Sequence, residues 1–328
     1  MNLWRVRIEA SSGKVLGRYE AVTTGASASR QHPSVSSEGH HIAYVEEVVS
    51  SNLWKVGFDP ATGNVQGDPI PVTQGSRLVG GPDISPDGDW LVYMSLGKQE
   101  DIYISRTDGT GLRQLTDDLY RDRRPRWSPD GNKIAFYSNR SGSHEIWTIN
   151  HDGSGLQKHT ETPGVSLWFQ TWSPDGLRIA YTKGDDRTSY IRQFGKSLEE
   201  QIPEALPPFS EDGKTFGISS WYPDGKWLAG YLGDGGIVVY NLESQQYRKL
   251  TSSGHWPVWM SDNRRLLFLD SDNIFQLDSK SGRVHEVLSV STDVVATVSV
   301  SRDSHWVYFT RQKSEADIWM LTFNEERE

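Results

Sequence analysis

The chain has 328 residues and a formal charge of −9 from 34 Lys and Arg against 43 Asp and Glu, and it contains no Cys. An acidic balance argues against a nucleic-acid partner, whose phosphates demand clustered cations, and the lack of Cys removes disulfides, thiolate catalysis and zinc–thiolate sites. No run of 18 apolar residues is present, so no membrane-inserting helix is expected. The opening MNLWRVRIEASSG also lacks the basic and apolar regions of a signal peptide.

In chain order, residues 1–27 read as a half unit: LWRVRIE and RYEAVT alternate as two strands joined by a turn at Ala10–Lys14. From residue 28 onward four short strands recur, here called a to d. The stretch 125–160 shows them most plainly, with PRWS, KIAFYS, EIWTIN and LQKHT separated by Pro129-Asp130-Gly131, Asn139–Gly142 and His151–Gly155. Aligned on the residue before the first turn, copies fall at Ser36, Ser85, Ser128, Ser173, Tyr222, Met260 and Ser301, with steps of 49, 43, 45, 49, 38 and 41. Steps of about 40–45 residues are those of a four-stranded propeller blade.

Seven copies of strands a and b predict an all-β, seven-bladed propeller spanning residues 1–328 as one domain. Residues 28–295 supply blades one to six, and 296–323 form a closing blade shared with the half unit at 1–27. Strand c occurs eight times, so Leu3–Ile8 and Ile318–Phe323 compete for one place. The fourth copy carries a long stretch, 194–217, in which Ser210–Gly213 imitates the blade turn without an apolar strand after it.

The SPDG turn, the IA-type strand, the acid before IY or IW, the DG turn and the closing LT together resemble TolB-like, WD-type β-propeller repeats. The mid-blade start and the ending EADIWMLTF are similar to the sensor-like C-terminal propellers of bacterial kinases and winged-helix regulators. That resemblance implies a module that binds a protein or small ligand, an extracytoplasmic setting with the compartment itself open, and an effector domain outside these residues. A monomer is expected.

The acids of the Pro-Asp-Gly turns, Asp87, Asp130, Asp175 and Asp224, are assigned to the turns themselves, where Asp bonds its own backbone. DGTG at Asp108 and DGSG at Asp152 are hairpin turns, since they lack the repeated acids of a calcium loop. No metal site and no cofactor is expected. Eleven of the 13 Trp fall on repeat positions, while Trp168 and Trp256 stand where the chain enters strand a. In a propeller these positions converge on the central channel. His32, Asp83, Arg124, Arg126, Trp168, Gln170, His255 and Trp256 are therefore the candidate ligand-binding residues, suited to a polar or sugar-like ligand or a charge-anchored peptide. The alternative is an enzyme of polysaccharide-lyase or hydrolase type, with His32, His255, Arg124, Arg126 and Tyr120 as candidates, although GxSxG and HExxH motifs are absent.

Overall fold

The structure is a computed structural model that describes residues 2–9, 11–23, 29–38, 40–184, 188–200, 202–209, 215–290 and 293–322. The described residues contain strands and turns and no helix, hence none long and apolar enough to cross a membrane. The chain separates into two compact units, one drawn from positions 1–50 and 313–328, the other from 51–312.

The larger unit is a six-bladed propeller, which corrects the expectation of seven blades. Five blades are continuous in sequence and open with inner strands Val79–Ile84, Asp122–Trp127, Leu167–Trp172, Phe216–Trp221 and His255–Trp259. They are numbered 1 to 5 in that order. The sixth takes strands a and b from Val294–Val300 and the start of Trp306–Thr322, and strands c and d from the end of His41–Asp59 and Asn64–Pro71. The Phe58 amide donates to the His305 carbonyl at 2.8 Å, joining the two chain segments across this closing blade. Blade sharing therefore occurs, but through residues 51–71. The copy at Ser36 contributes no blade to the ring, which is why seven sequence copies give six blades.

The repeat signature has a direct physical explanation. Strand d ends in Thr because its hydroxyl accepts the amide that opens strand c: Leu53 to Thr73 (2.9 Å), Ile102 to Thr116 (3.0 Å), Ile146 to Thr160 (2.8 Å) and Ile237 to Thr251 (2.8 Å). The Ser–Asp turn works likewise, Asp130 accepting from Ser128 Oγ (2.5 Å) and the Asn132 amide (3.1 Å), which holds its carboxyl below the usual range. Asp87, Asp175 and Asp303 repeat this turn, and Asp224 accepts the Lys226 amide, so these acids serve the turns as expected. Asp108 and Asp152 close hairpins by accepting from Thr110 and Ser154.

Trp127, Trp172, Trp221 and Trp259 are buried between blades, each on strand a just before the turn. Those that open strand b lie under a cation instead: Arg106 is 4.2 Å from the Trp90 ring, Lys55 5.2 Å from Trp306 and Arg248 5.7 Å from Trp227. In blade 3 the outer strand is Glu204–Ala205, so much of the long stretch precedes strand d, and the imitation turn at 210–213 lies outside the described residues.

In the smaller unit, Trp4–Ile8 and Val15–Ala21 form a two-stranded hairpin, with the Leu3 amide on Thr23 Oγ1 at 2.9 Å as in a blade. Ser29–Val35 pairs with the start of His41–Asp59. The end of Trp306–Thr322 lies beside that start, with Ser314 Oγ on Glu47 at 2.7 Å and His41 Nδ1 3.1 Å from Thr322 Oγ1. Neither of the two competing copies of strand c takes the contested place in the closing blade, which the end of His41–Asp59 fills instead.

Candidate functional site

The inner strands of all six blades line one channel. Each carries a β-bulge near its start; in blades 1, 2, 3 and 5 two residues of strand a stand against one of strand b. At the first bulged residue the backbone turns left-handed: Gly81 (φ 64°), Arg124 (54°), Phe169 (59°) and Trp256 (52°). Glycine takes this conformation without penalty, whereas other residues are strained by about 1–3 kcal/mol. The bulge re-aims the strand, and Arg124, Phe169 and Trp256 line the channel from it.

Arg124 is the central charge. Its guanidinium carbon lies 4.2 Å from the Trp256 ring centroid and 5.5 Å from that of Phe169, with Tyr137 nearby. Water in the channel still reaches part of it, yet protein surrounds it on every side, and that burial pushes its pKa down. Among the described residues no carboxylate pairs with it. Arg126 is different: it points at the carbonyls of Pro82 (3.5 Å) and Pro125 (3.3 Å), and the charge of Asp83 is nearby.

Asp83 ties three inner strands together. Its carboxylate accepts the Trp127 amide at 2.7 Å and Ser299 Oγ at 3.5 Å, while burial raises its pKa against the pull of Arg126. Gln170 is 2% exposed and lines the channel. Its Nε2 donates to the carbonyls of Arg124 and Ala135 (3.1 Å to the latter), which fixes the amide's orientation, and its Oε1 has no partner among the described residues. Ser219 Oγ, also in the lining, is likewise buried without a partner.

The other candidates are placed as follows. Trp256 donates from Nε1 to the Tyr231 hydroxyl at 3.0 Å, and His255 packs edge-on against its ring at 4.9 Å, its pKa lowered by burial. Trp168 faces a neighbouring recess with Phe169, Tyr231, Thr182, Thr215 and Gly217. His32 belongs to the smaller unit, where it occupies the bulge of Ser29–Val35 with φ 52°; the channel lining comes from the larger unit alone. Tyr120 is exposed, its ring 5.6 Å from Arg140. Phe169, Tyr137 and Tyr231 were not among the sequence candidates. Counting back four from the residue before each turn finds Phe169, since the same count gives Gly81, Arg124 and Trp256.

Residues 17–206, more than half of the chain, match the family PD40, TolB beta propeller domain. The chain belongs to the TolB β-propeller family. It is 28% identical over 205 residues to the uncharacterized peptidase YuxL of Bacillus subtilis, covering 60% of this chain and 28% of that protein. It is also 34% identical over 152 residues to the uncharacterized protein Atu1656 of Agrobacterium fabrum, covering 44% and 52%. The chain thus spans about half or less of the length of these curated relatives. Among solved structures, a putative TolB from Agrobacterium tumefaciens superposes with a TM-score of 0.63 at 17% identity, over 80% of this chain and 98% of that one, a likeness of fold.

Proposed function

We propose that this TolB-family propeller is a non-catalytic binding module whose channel holds an anionic group of a protein or small polar ligand. The observation that carries this reading is Arg124, a cation held in a channel on Trp256 with no carboxylate paired to it among the described residues. A buried charge is costly unless compensated, and an incoming anion supplies the compensation through charge-assisted hydrogen bonds. In a sensor of the kind the repeats resemble, occupancy of this channel is the input.

Catalysis by channel side chains is the competing reading, and similarity to a peptidase keeps it in view. Of the lyase candidates, all but His32 share the larger unit, but Tyr120 is exposed and His255 is engaged with the rings of Trp256 and Tyr231. The test is thermal melting in acetate, phosphate and chloride at constant ionic strength. Acetate or phosphate should raise the midpoint of the wild-type chain and leave Arg124→Gln unmoved. Equal behaviour of the two proteins removes the proposal, and unsaturated-uronate absorbance from uronate oligomers establishes the lyase instead.

A further inference from the structure

We infer that the channel takes the free C-terminal carboxylate of a polypeptide, with the large apolar side chain of its last residue in the aromatic recess next to the channel. The inference rests on the anion-binding reading above and narrows it. Two groups set the chemistry. Arg124 calls for an anion. Gln170 Oε1, buried and fixed by the two carbonyls that its Nε2 satisfies, calls for a donor. A bare carboxylate or sulfate offers the first and not the second, whereas the last residue of a peptide carries an amide N–H two bonds from its carboxylate.

Size narrows the choice further. The channel leaves only ≈ 20 Å³ open to the centre of a water-sized sphere, room for one or two such groups and too little for a pyranose ring. The recess leaves ≈ 250 Å³, walled by Trp168, Phe169 and Tyr231. Phe169 stands between the two, 5.5 Å from the Arg124 guanidinium and 6.3 Å from the Tyr231 ring, which stands at 73° to it. One residue therefore spans both: its carboxylate meets Arg124 and its side chain meets ring faces and edges that favour aromatic or aliphatic groups.

Calorimetry with the full chain tests this with N-acetyl-Gly-Gly-Phe as free acid and as amide, N-acetyl-Gly-Gly-Gly acid, N-acetyl-Asp-Gly-Phe amide and sodium phosphate. The Phe acid should bind, its amide at least about tenfold more weakly for want of the charge-assisted bond, and the Gly acid about 10- to 100-fold more weakly for want of the buried side chain. Gly217 lines the recess, and a Cβ placed there lies 3.6 Å from the Tyr231 ring. Gly217→Leu should thus reduce the Phe acid to the affinity of the Gly acid and leave the Gly acid unchanged. Arg124→Gln should abolish the preference for acid over amide.

Equal binding of acid and amide, or tighter binding of the internal Asp peptide, overturns the inference. So does Arg124-dependent phosphate binding without peptide binding, which leaves the anion reading standing. Failure of every anion and peptide overturns both. The acid and amide comparison uses the wild-type chain alone, so it decides the matter even where a variant does not fold.

Discussion

Ring closure makes the sharpest prediction, because it turns on which segment completes the sixth blade. Leu53, Val56 and Phe58 are fully buried and Val72 is 7% exposed. Val56 and Phe58 pack with Leu267, Leu269 and Ile274 of blade 5, and Leu53 and Val72 with Leu91 and Tyr93 of blade 1. Each such side chain contributes about 1.5–3 kcal/mol by leaving water. The four together supply roughly 6–12 kcal/mol, the size of a whole domain's stability of about 5–15 kcal/mol. A fragment of residues 51–312 keeps every strand of the ring, whereas 74–312 loses strands c and d of the closing blade and bares the apolar faces of its neighbours. Light scattering after gel filtration, with urea unfolding, should show 51–312 as a folded monomer and 74–312 as aggregated or unfolded. A monomeric 74–312 with the urea midpoint of 51–312 would refute the closure described.

Other perturbations follow from the same packing. Thr160→Val removes the acceptor of the Ile146 amide and a donor to the buried Glu145 carboxylate, so it should cost about 2–3 kcal/mol in urea, against about 1 kcal/mol for the part-exposed Thr251→Val. Trp127→Ala should cost about 3–5 kcal/mol and Trp256→Ala less, because Trp256 gives up part of its surface to the channel. His159, buried with Nε2 2.8 Å from Thr148 Oγ1, has its pKa lowered to about 4 by burial, with Arg192 and Lys133 adding to the effect. Its folded value lies below the unfolded one of about 6.5, so its neutral form stabilises fully above pH 6.5 and that contribution is lost as pH falls towards 4. The loss should reach about 2–3 kcal/mol, and urea midpoints at pH 7 and pH 4.5 should differ less for His159→Phe than for wild type.

The blades were legible because each strand writes itself locally, through period-two apolar alternation, a Pro-Asp-Gly turn or a closing Thr. Their number was not, since closure depends on a pairing between residues more than 240 positions apart, Phe58 with His305. Nothing local distinguishes NLWKVGF at 52–58 from DIWMLTF at 317–323 as the strand beside Trp306. The channel followed a similar course. Arg124, Arg126, Gln170 and Trp256 line it because convergence of strand-a openings is a property of any propeller. Trp168 lies one residue from the lining because the two-residue bulge shifts which side chain turns inward. Asp83 is taken up in holding the Trp127 amide, a use that only the neighbouring blade reveals.

The bulge also separates what the ring needs from what it can recognise. One position per blade, four before the turn, lies in the channel lining, and around the ring these positions read Gly81, Arg124, Phe169, Ile218, Trp256 and Thr297, the left-handed bulge setting those of blades 1, 2, 3 and 5. Arg124, Phe169 and Trp256 turn to the channel from the bulge, whereas Ile218 is fully buried in the core between blades 3 and 4, and Trp127 and Trp172 fill other seams between blades. The four left-handed positions, Gly81, Arg124, Phe169 and Trp256, thus act as a short word written largely apart from the core between blades. Replacing Gly81 with a carboxylate, for example, would bring a counter-charge into the channel at the cost of backbone strain and, on the anion-binding proposal, should shift its preference towards neutral ligands.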